Sequence, residues 1–212
     1  DRNPTARDLT VESARRRFAP TTVTSMERAL VERAQSGDRD AFSQLVKAST
    51  RRLLGLARLI LRDPDRAEDA VQDALLLAWR DLKALRNPDA WDPWIRRLTV
   101  NACYKAAGKH SRRTRLEVQV EADPRATQVS DSASEIAERE WVLAALDHVT
   151  VEQRTVIALH YYLDLPVAEV AEILDIPYGT AASRLHRGLE AMRVTMRMEP
   201  SAVTSQAPER AS

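Results

Sequence analysis

Between Phe42 and Ile60 the residues Phe42, Leu45, Val46, Ser49, Leu53, Leu56 and Ile60 return at steps of three and four. A helix sets such positions on one side, so this stretch must be an amphipathic helix with its stripe buried against other elements. Asp63-Pro64 ends it. The same spacing resumes with Val71, Ala74, Leu75, Ala78 and Leu82, which predicts a second helix from about Arg66 to Leu82. Pro88 and Pro93 punctuate RNPDAWDP as a loop. A third helix is expected from near Trp94 to about Lys109. The rest of the composition agrees. Only 5 glycines occur in 212 residues, aromatics make up 5%, and Ala, Leu, Arg and Glu dominate. That favours an all-α chain over a sandwich or barrel. A hydrophobic content of 44% is enough for a packed core.

The periodicity stops twice. Residues 114–134 hold Pro124 and several Ser, Thr and Asp without a steady period. They read as a flexible linker between a domain at 26–113 and a smaller one at 135–197. Residues 1–25 read as a flexible arm and residues 198–212 as a disordered tail. The second domain should hold four short helices. Ile136, Val142, Leu143 and Leu146 mark the first. Thr150 and Gln153 form a capping box that opens the second. Pro166 suits the first turn of the third, which carries Val167, Val170, Ala171 and Leu174. The fourth follows Pro177, with Ala181, Leu185, Leu189 and Met192 facing inward.

Several function classes are excluded by count. The single cysteine, Cys103, forbids an internal disulfide and reads as a core thiol. His110, His148, His160 and His186 lack ligand spacing, so no metal or other cofactor is expected. No nucleophile–base pair or phosphate loop suggests an enzyme. No apolar run reaches the length of a membrane span and no signal peptide is visible, so a cytoplasmic chain is expected. The net charge is +1. A nucleic-acid binder with so little excess charge must rely on local patches.

The most telling patch is LDIPYGTAASRLHRGLEAMR, residues 174–193. Asp175 stands where a tight corner calls for a left-handed residue, which Asp tolerates better than most. Pro177 presets φ for entry into the next helix. Arg184, His186, Arg187 and Arg193 then decorate a helix whose N-terminus offers free N–H groups to phosphate. Arginine adds bidentate contacts to guanine edges or phosphates. This is a helix-turn-helix pattern, read as a DNA-binding element in preference to an amphipathic helix with a solvated basic face.

The segment LPVAEVAEILDIPYGTAASRLHRGLEAMR resembles region 4 of bacterial RNA polymerase sigma factors, most closely the small extracytoplasmic-function class of the sigma-70 family. DRAEDAVQDALLLAWRDL resembles the region 2 helix of the same family. WDPWIRRLTVNACYKAAGKHSRR resembles its −10 recognition helix. The resemblance covers roughly residues 26–195 and keeps the motifs in order.

The resemblance implies a sigma factor that binds core RNA polymerase, directs it to −35 and −10 promoter elements and promotes transcription initiation. Its partners would be the polymerase, through the β′ clamp helices and the β flap, and promoter DNA. An anti-sigma factor is a further partner class. The free factor is expected to be a monomer with no membrane contact. Asp69, Gln72 and Asp73 lie at i, i+3 and i+4, so they share one helix face with Asp65 and Glu68 beside it. The resemblance makes this acidic face the polymerase contact. It assigns the −10 element to Asn87, Asp89, Trp91, Arg96, Arg97, Asn101, Lys105, Lys109, Arg112 and Arg113. The −35 element falls to Pro177, Tyr178, Gly179, Thr180, Ala182, Ser183, Arg184, His186 and Arg187. Trp79 and Trp94 are expected in the core. The acidic residues 117–140 either aid solubility or occupy a basic path through the polymerase. Departures from the family pattern are Asp175 for a usual Gly, Ala182 for a frequent cation and Val100 for a frequent Arg. The rival reading is a stand-alone helix-turn-helix regulator, which usually needs a dimer to span two half-sites.

Overall fold

A computed structural model describes residues 25–116 and 133–198, and all the regular structure in them is helical. The first bundle contains α1 (Ser25–Gln35), α2 (Arg39–Leu61), α3 (Pro64–Asp81) and α4 (Trp91–Leu116). The second contains α5 (Ala133–Asp147), α6 (Val151–Ile157), α7 (Val167–Leu174) and α8 (Tyr178–Met198). The stretches 1–24, 117–132 and 199–212 lie outside the described residues, and with them nearly all of the expected arm, linker and tail.

Local chemistry sets the boundaries. Asp38 caps α2, its carboxylate accepting from the Asp40 and Ala41 N–H groups, each at 3.0 Å. Arg62 ends the helix in the left-handed region at φ 57°. Asp63 then caps α3 by accepting from the Arg66 N–H at 2.9 Å, with Pro64 in the first turn. Partial burial works against the Asp63 carboxylate, but the Arg66 N–H and guanidinium outweigh it and hold the carboxyl below its ordinary range. The third helix starts earlier than its prolines suggest. Pro88–Ala90 is a 3-10 turn, and α4 opens at Trp91 with Pro93 inside its first turn. A proline is tolerated there because the first N–H groups of a helix have no intrahelical acceptor. No Pro or Gly follows Gly108 until Pro124, and the helix runs on to Leu116, into the stretch expected to be linker.

In the second bundle the Thr150 capping box forms as expected, with both reciprocal bonds present. The helix that it opens widens unexpectedly at its end. Ala158–Tyr162 is a single π turn, and the His160 Nδ1 donates to the Leu165 carbonyl at 2.7 Å. Gly188 of α8 marks a close helix crossing, because a Cβ there would lie 2.8 Å from Ile157 Cδ1.

The two bundles are not separate bodies. One core joins Leu45, Leu56, Ile60, Ile95 and Val100 to Val156, Leu159, Val170 and Ile173. Trp91 and Cys103 are fully buried in it. Trp79, expected inside, is 38% exposed and leans on Phe42 with ring centroids 4.8 Å apart. The α3 stripe already fills the core side with alanines and Val71, leaving Trp79 at its margin. Trp94 is half-buried against the core.

Burial pushes the Cys103 thiol up to about 12. The group stays a neutral thiol at working pH, and the thiolate is the reactive form. Native protein should therefore resist a thiol reagent at about pH 8 and react promptly once unfolded in denaturant. Rapid labelling of the folded chain would contradict this burial.

Candidate polymerase and promoter surfaces

The acidic face stands clear of the fold. Ala67, Ala70, Val71, Ala74 and Ala78 turn the α3 stripe inward. Asp65, Glu68, Asp69, Gln72 and Asp73 are left exposed on the other side. Arg58 of α2 pairs with Glu68 at 2.9 Å. Asp69, Gln72 and Asp73 line a shallow groove of about 350 Å³ between α3 and α4. Lys105, Lys109 and His110 line its opposite wall. The fold thus places two candidate −10 cations, Lys105 and Lys109, alongside the candidate polymerase face. One residue of this face escapes a sequence reading. Leu76, one turn beyond Asp73, is 63% exposed. An exposed leucine beside carboxylates is a natural anchor for a partner. Its signal was an apolar residue lying outside the buried stripe.

The candidate −10 surface divides. Arg97, Asn101, Lys105 and Lys109 follow steps of four along α4 and are exposed. Asn87 is exposed and caps the 3-10 turn, its side chain accepting from the Asp89 N–H at 3.1 Å. Asp89 pairs with Arg28 at 2.8 Å. Two residues must be corrected. Trp91 is fully buried, packed between Phe42 and Trp94 at centroid distances of 6.2 and 5.8 Å, and its ring offers DNA no face. Arg96 is 5% exposed. It bonds to the buried Asp92 and lies 3.5 Å from Glu169 of α7, so its charge is already matched inside the protein. Arg52 also reaches Asp92, at 3.1 Å. Burial raises the nearby Glu27 carboxyl, with Asp92 adding to the effect. The side chains of Arg112 and Arg113 lie outside the described residues.

The helix-turn-helix forms. Asp175 adopts φ 54°, ψ 48° at the end of α7, and the Ile176 N–H closes the turn on the Ala171 carbonyl at 3.1 Å. Pro177 caps the next helix through its carbonyl, which accepts from Thr180 and Ala181. Pro177, Tyr178, Gly179, His186 and Arg187 are exposed. Thr180, Ala182, Ser183 and Arg184 of the candidate −35 set are only half-exposed. Arg184 acts electrostatically on Tyr104 of α4. Burial raises the Tyr104 phenol there, with Thr155 and the Arg184 guanidinium pulling the other way.

Residues 45–113 match the family model for Sigma-70 region 2, and residues 139–192 match that for Sigma-70, region 4. The chain is 35% identical over 155 residues to the ECF RNA polymerase sigma factor SigM of Mycobacterium tuberculosis, covering 72% of this chain and 75% of the relative. It is 28% identical over 177 residues to the ECF RNA polymerase sigma factor SigW of Bacillus subtilis, covering 79% and 95%. Two solved structures share the fold. CnrH in complex with the cytosolic domain of CnrY aligns with a TM-score of 0.60 at 22% identity, covering 82% of this chain and 99% of that one. The sigma factor RpoE in complex with the anti-sigma factor NepR, from Bartonella quintana, aligns with a TM-score of 0.63 at 22% identity, covering 74% and 98%.

Proposed function

Because the chain belongs to the extracytoplasmic-function class of the sigma-70 family, we propose a division of its surface among polymerase, −10 and −35 contacts. The chain is a sigma factor: it binds core RNA polymerase, directs it to promoters and starts transcription. Within it we assign residues 26–113 to polymerase and −10 binding and residues 135–197 to the −35 element. The observation that carries the polymerase assignment is an exposed acidic helix face whose Asp69, Gln72 and Asp73 serve no packing role. A basic partner, matched in charge and anchored by Leu76, accounts for that face. A stand-alone helix-turn-helix regulator would leave it without a purpose.

The −10 contact in this reading is the stripe Arg97, Asn101, Lys105 and Lys109 together with the Asn87–Asp89 turn. Trp91 and Arg96 support it from beneath. The −35 contact is the N-terminal half of α8, where the exposed Tyr178, His186 and Arg187 flank the half-exposed Ser183 and Arg184. We assign the protein no chemistry of its own. Among the described residues no cluster of His, Cys, Asp or Glu could hold a metal, and no helix is long and apolar enough to cross a membrane. Co-purification with core polymerase, followed by run-off transcription from a mapped promoter, tests the reading. Failure to bind core polymerase would sink it.

Arg187 is the cleanest probe of the DNA contact. Arg187→Ala should weaken −35-dependent transcription by about 1–3 kcal/mol if the guanidinium reads a base edge. Core binding should not change. An equal loss on a scrambled −35 element would show that the contact is to phosphate alone.

A further inference from the structure

We infer that one face of α1 braces the turn that meets the −10 element, and that Arg28 and Gln35 on this face are positioning residues that set how sharply the protein discriminates −10 bases. The inference rests on the −10 assignment above. Asn87 and Asp89 sit in the connection between α3 and α4. Leu82 is buried in this connection and Leu85 half-buried, but none of residues 86–90 is buried. The Asp89 and Ala90 N–H groups bond back to Asn87, which fixes the local shape of the turn. Trp91 anchors its far end in the core. The near end is held from α1. The Gln35 amide donates to the Leu82 carbonyl at 3.2 Å and to the Leu85 carbonyl at 2.7 Å. Arg28 pairs with Asp89 at 2.8 Å. Arg28 and Gln35 stand two helical turns apart, so they lie on the same side of α1, with the fully buried Val31 between them.

The Arg28–Asp89 pair is a poor device for stability. Both side chains are about half exposed, and such pairs add little to folding. It is a better device for aim. The Arg28 Nε bonds to Glu32, one turn along α1, at 3.0 Å, while its Nη1 reaches Asp89. A planar guanidinium held by two carboxylates is an oriented strut. Charge gives the strut a second task. A bare carboxylate on a DNA-binding surface repels phosphate, although it can accept from a base amine. Arg28 offsets that charge and fixes the Asp89 Oδ2. Side chains that tell one base from another must be held to within about 0.5 Å of their working geometry. A loosened turn would still meet DNA, because phosphate contacts from Arg97, Lys105 and Lys109 are indifferent to sequence. It would lose the difference between the right base and a wrong one. The brace therefore governs −10 specificity more than affinity, and it leaves the −35 contact of the other bundle untouched.

The test uses the full chain assembled with core polymerase. Run-off transcription is measured from a mapped promoter, from the same promoter with an altered −10 element and from one with an altered −35 element. Arg28→Ala should cut the preference for the cognate −10 element about tenfold, the size of one lost base contact. Gln35→Ala should lower it in the same direction. For Arg28→Ala the preference for the cognate −35 element, the affinity for core polymerase and the melting temperature should all stay at their parent values. A −10 preference unchanged from the parent in both variants would overturn the inference. So would a parallel loss of −10 and −35 preference with a fall in melting temperature, because that marks a purely structural role. If Gln35→Ala melts early, having left two carbonyls without their donor, Arg28→Ala decides alone. Asn87→Ala checks the −10 assignment itself. If it lowers the −10 preference while Arg28→Ala does not, the brace fails and the assignment stands. If Asn87→Ala changes nothing, the turn does not meet the −10 element and both fall.

Discussion

Asp69→Arg combined with Asp73→Arg should abolish co-purification with core polymerase while leaving thermal stability close to that of the parent chain. Both carboxylates are exposed and neither faces the buried stripe of α3, so the fold has little stake in them. Two reversals place cations where a basic partner must dock. Like charges at close range across an interface cost several kcal/mol, and about 3 kcal/mol is already a loss of more than a hundredfold in affinity. The groove between α3 and α4 adds to the effect, because its other wall already carries Lys105 and Lys109. Titration of labelled core polymerase with the variant measures it. Affinity within threefold of the parent would remove this face from the polymerase contact. A fall in melting temperature of similar size to the binding loss would show instead that the reversal harms the fold.

Arg154→Met should produce the largest loss of stability. The guanidinium donates to the Ile60 carbonyl and to the Val149 carbonyl, each at 3.0 Å. Ile60 lies in the last turn of α2, whose closing carbonyls have no partner within the helix. Methionine keeps much of the volume but leaves two buried acceptors unpaired. Each costs about 1–3 kcal/mol, and a total near 3 kcal/mol should lower the melting temperature of a chain this size by roughly 6–12 °C. Burial depresses the pKa of Arg154, with Asp147 opposing, yet an arginine keeps its charge at any working pH. The deficit should therefore be the same from mildly acidic to mildly basic buffer. A loss that vanishes with pH would point to a different cause. Calorimetry of the two proteins at several pH values decides it.

The sequence determined the helices and most of the exposed chemistry. Phe42 to Ile60 can satisfy a three-and-four spacing only as a helix, and Thr150 with Gln153 announces a cap through bonds four residues wide. Asp69, Gln72 and Asp73 could be placed on one face for the same reason, since a helix fixes which side chains are neighbours. The left-handed corner at Asp175 was legible because few residues accept that conformation. These are local interactions, and local interactions can be read from spacing. What spacing cannot report is which element packs against which. By their neighbours in sequence Trp91 belongs to a loop and Arg96 to a surface helix, yet the first lies under Phe42 and Trp94 and the second between Asp92 and Glu169. Gly55 reads as an ordinary flaw in α2 until Tyr162, more than a hundred residues later, occupies the space it leaves. The seam between the bundles was decided by tertiary structure alone, because the groups that form it, such as Arg154 with Ile60 and Arg97 with Asp175, are far apart in sequence and no spacing rule says that they meet.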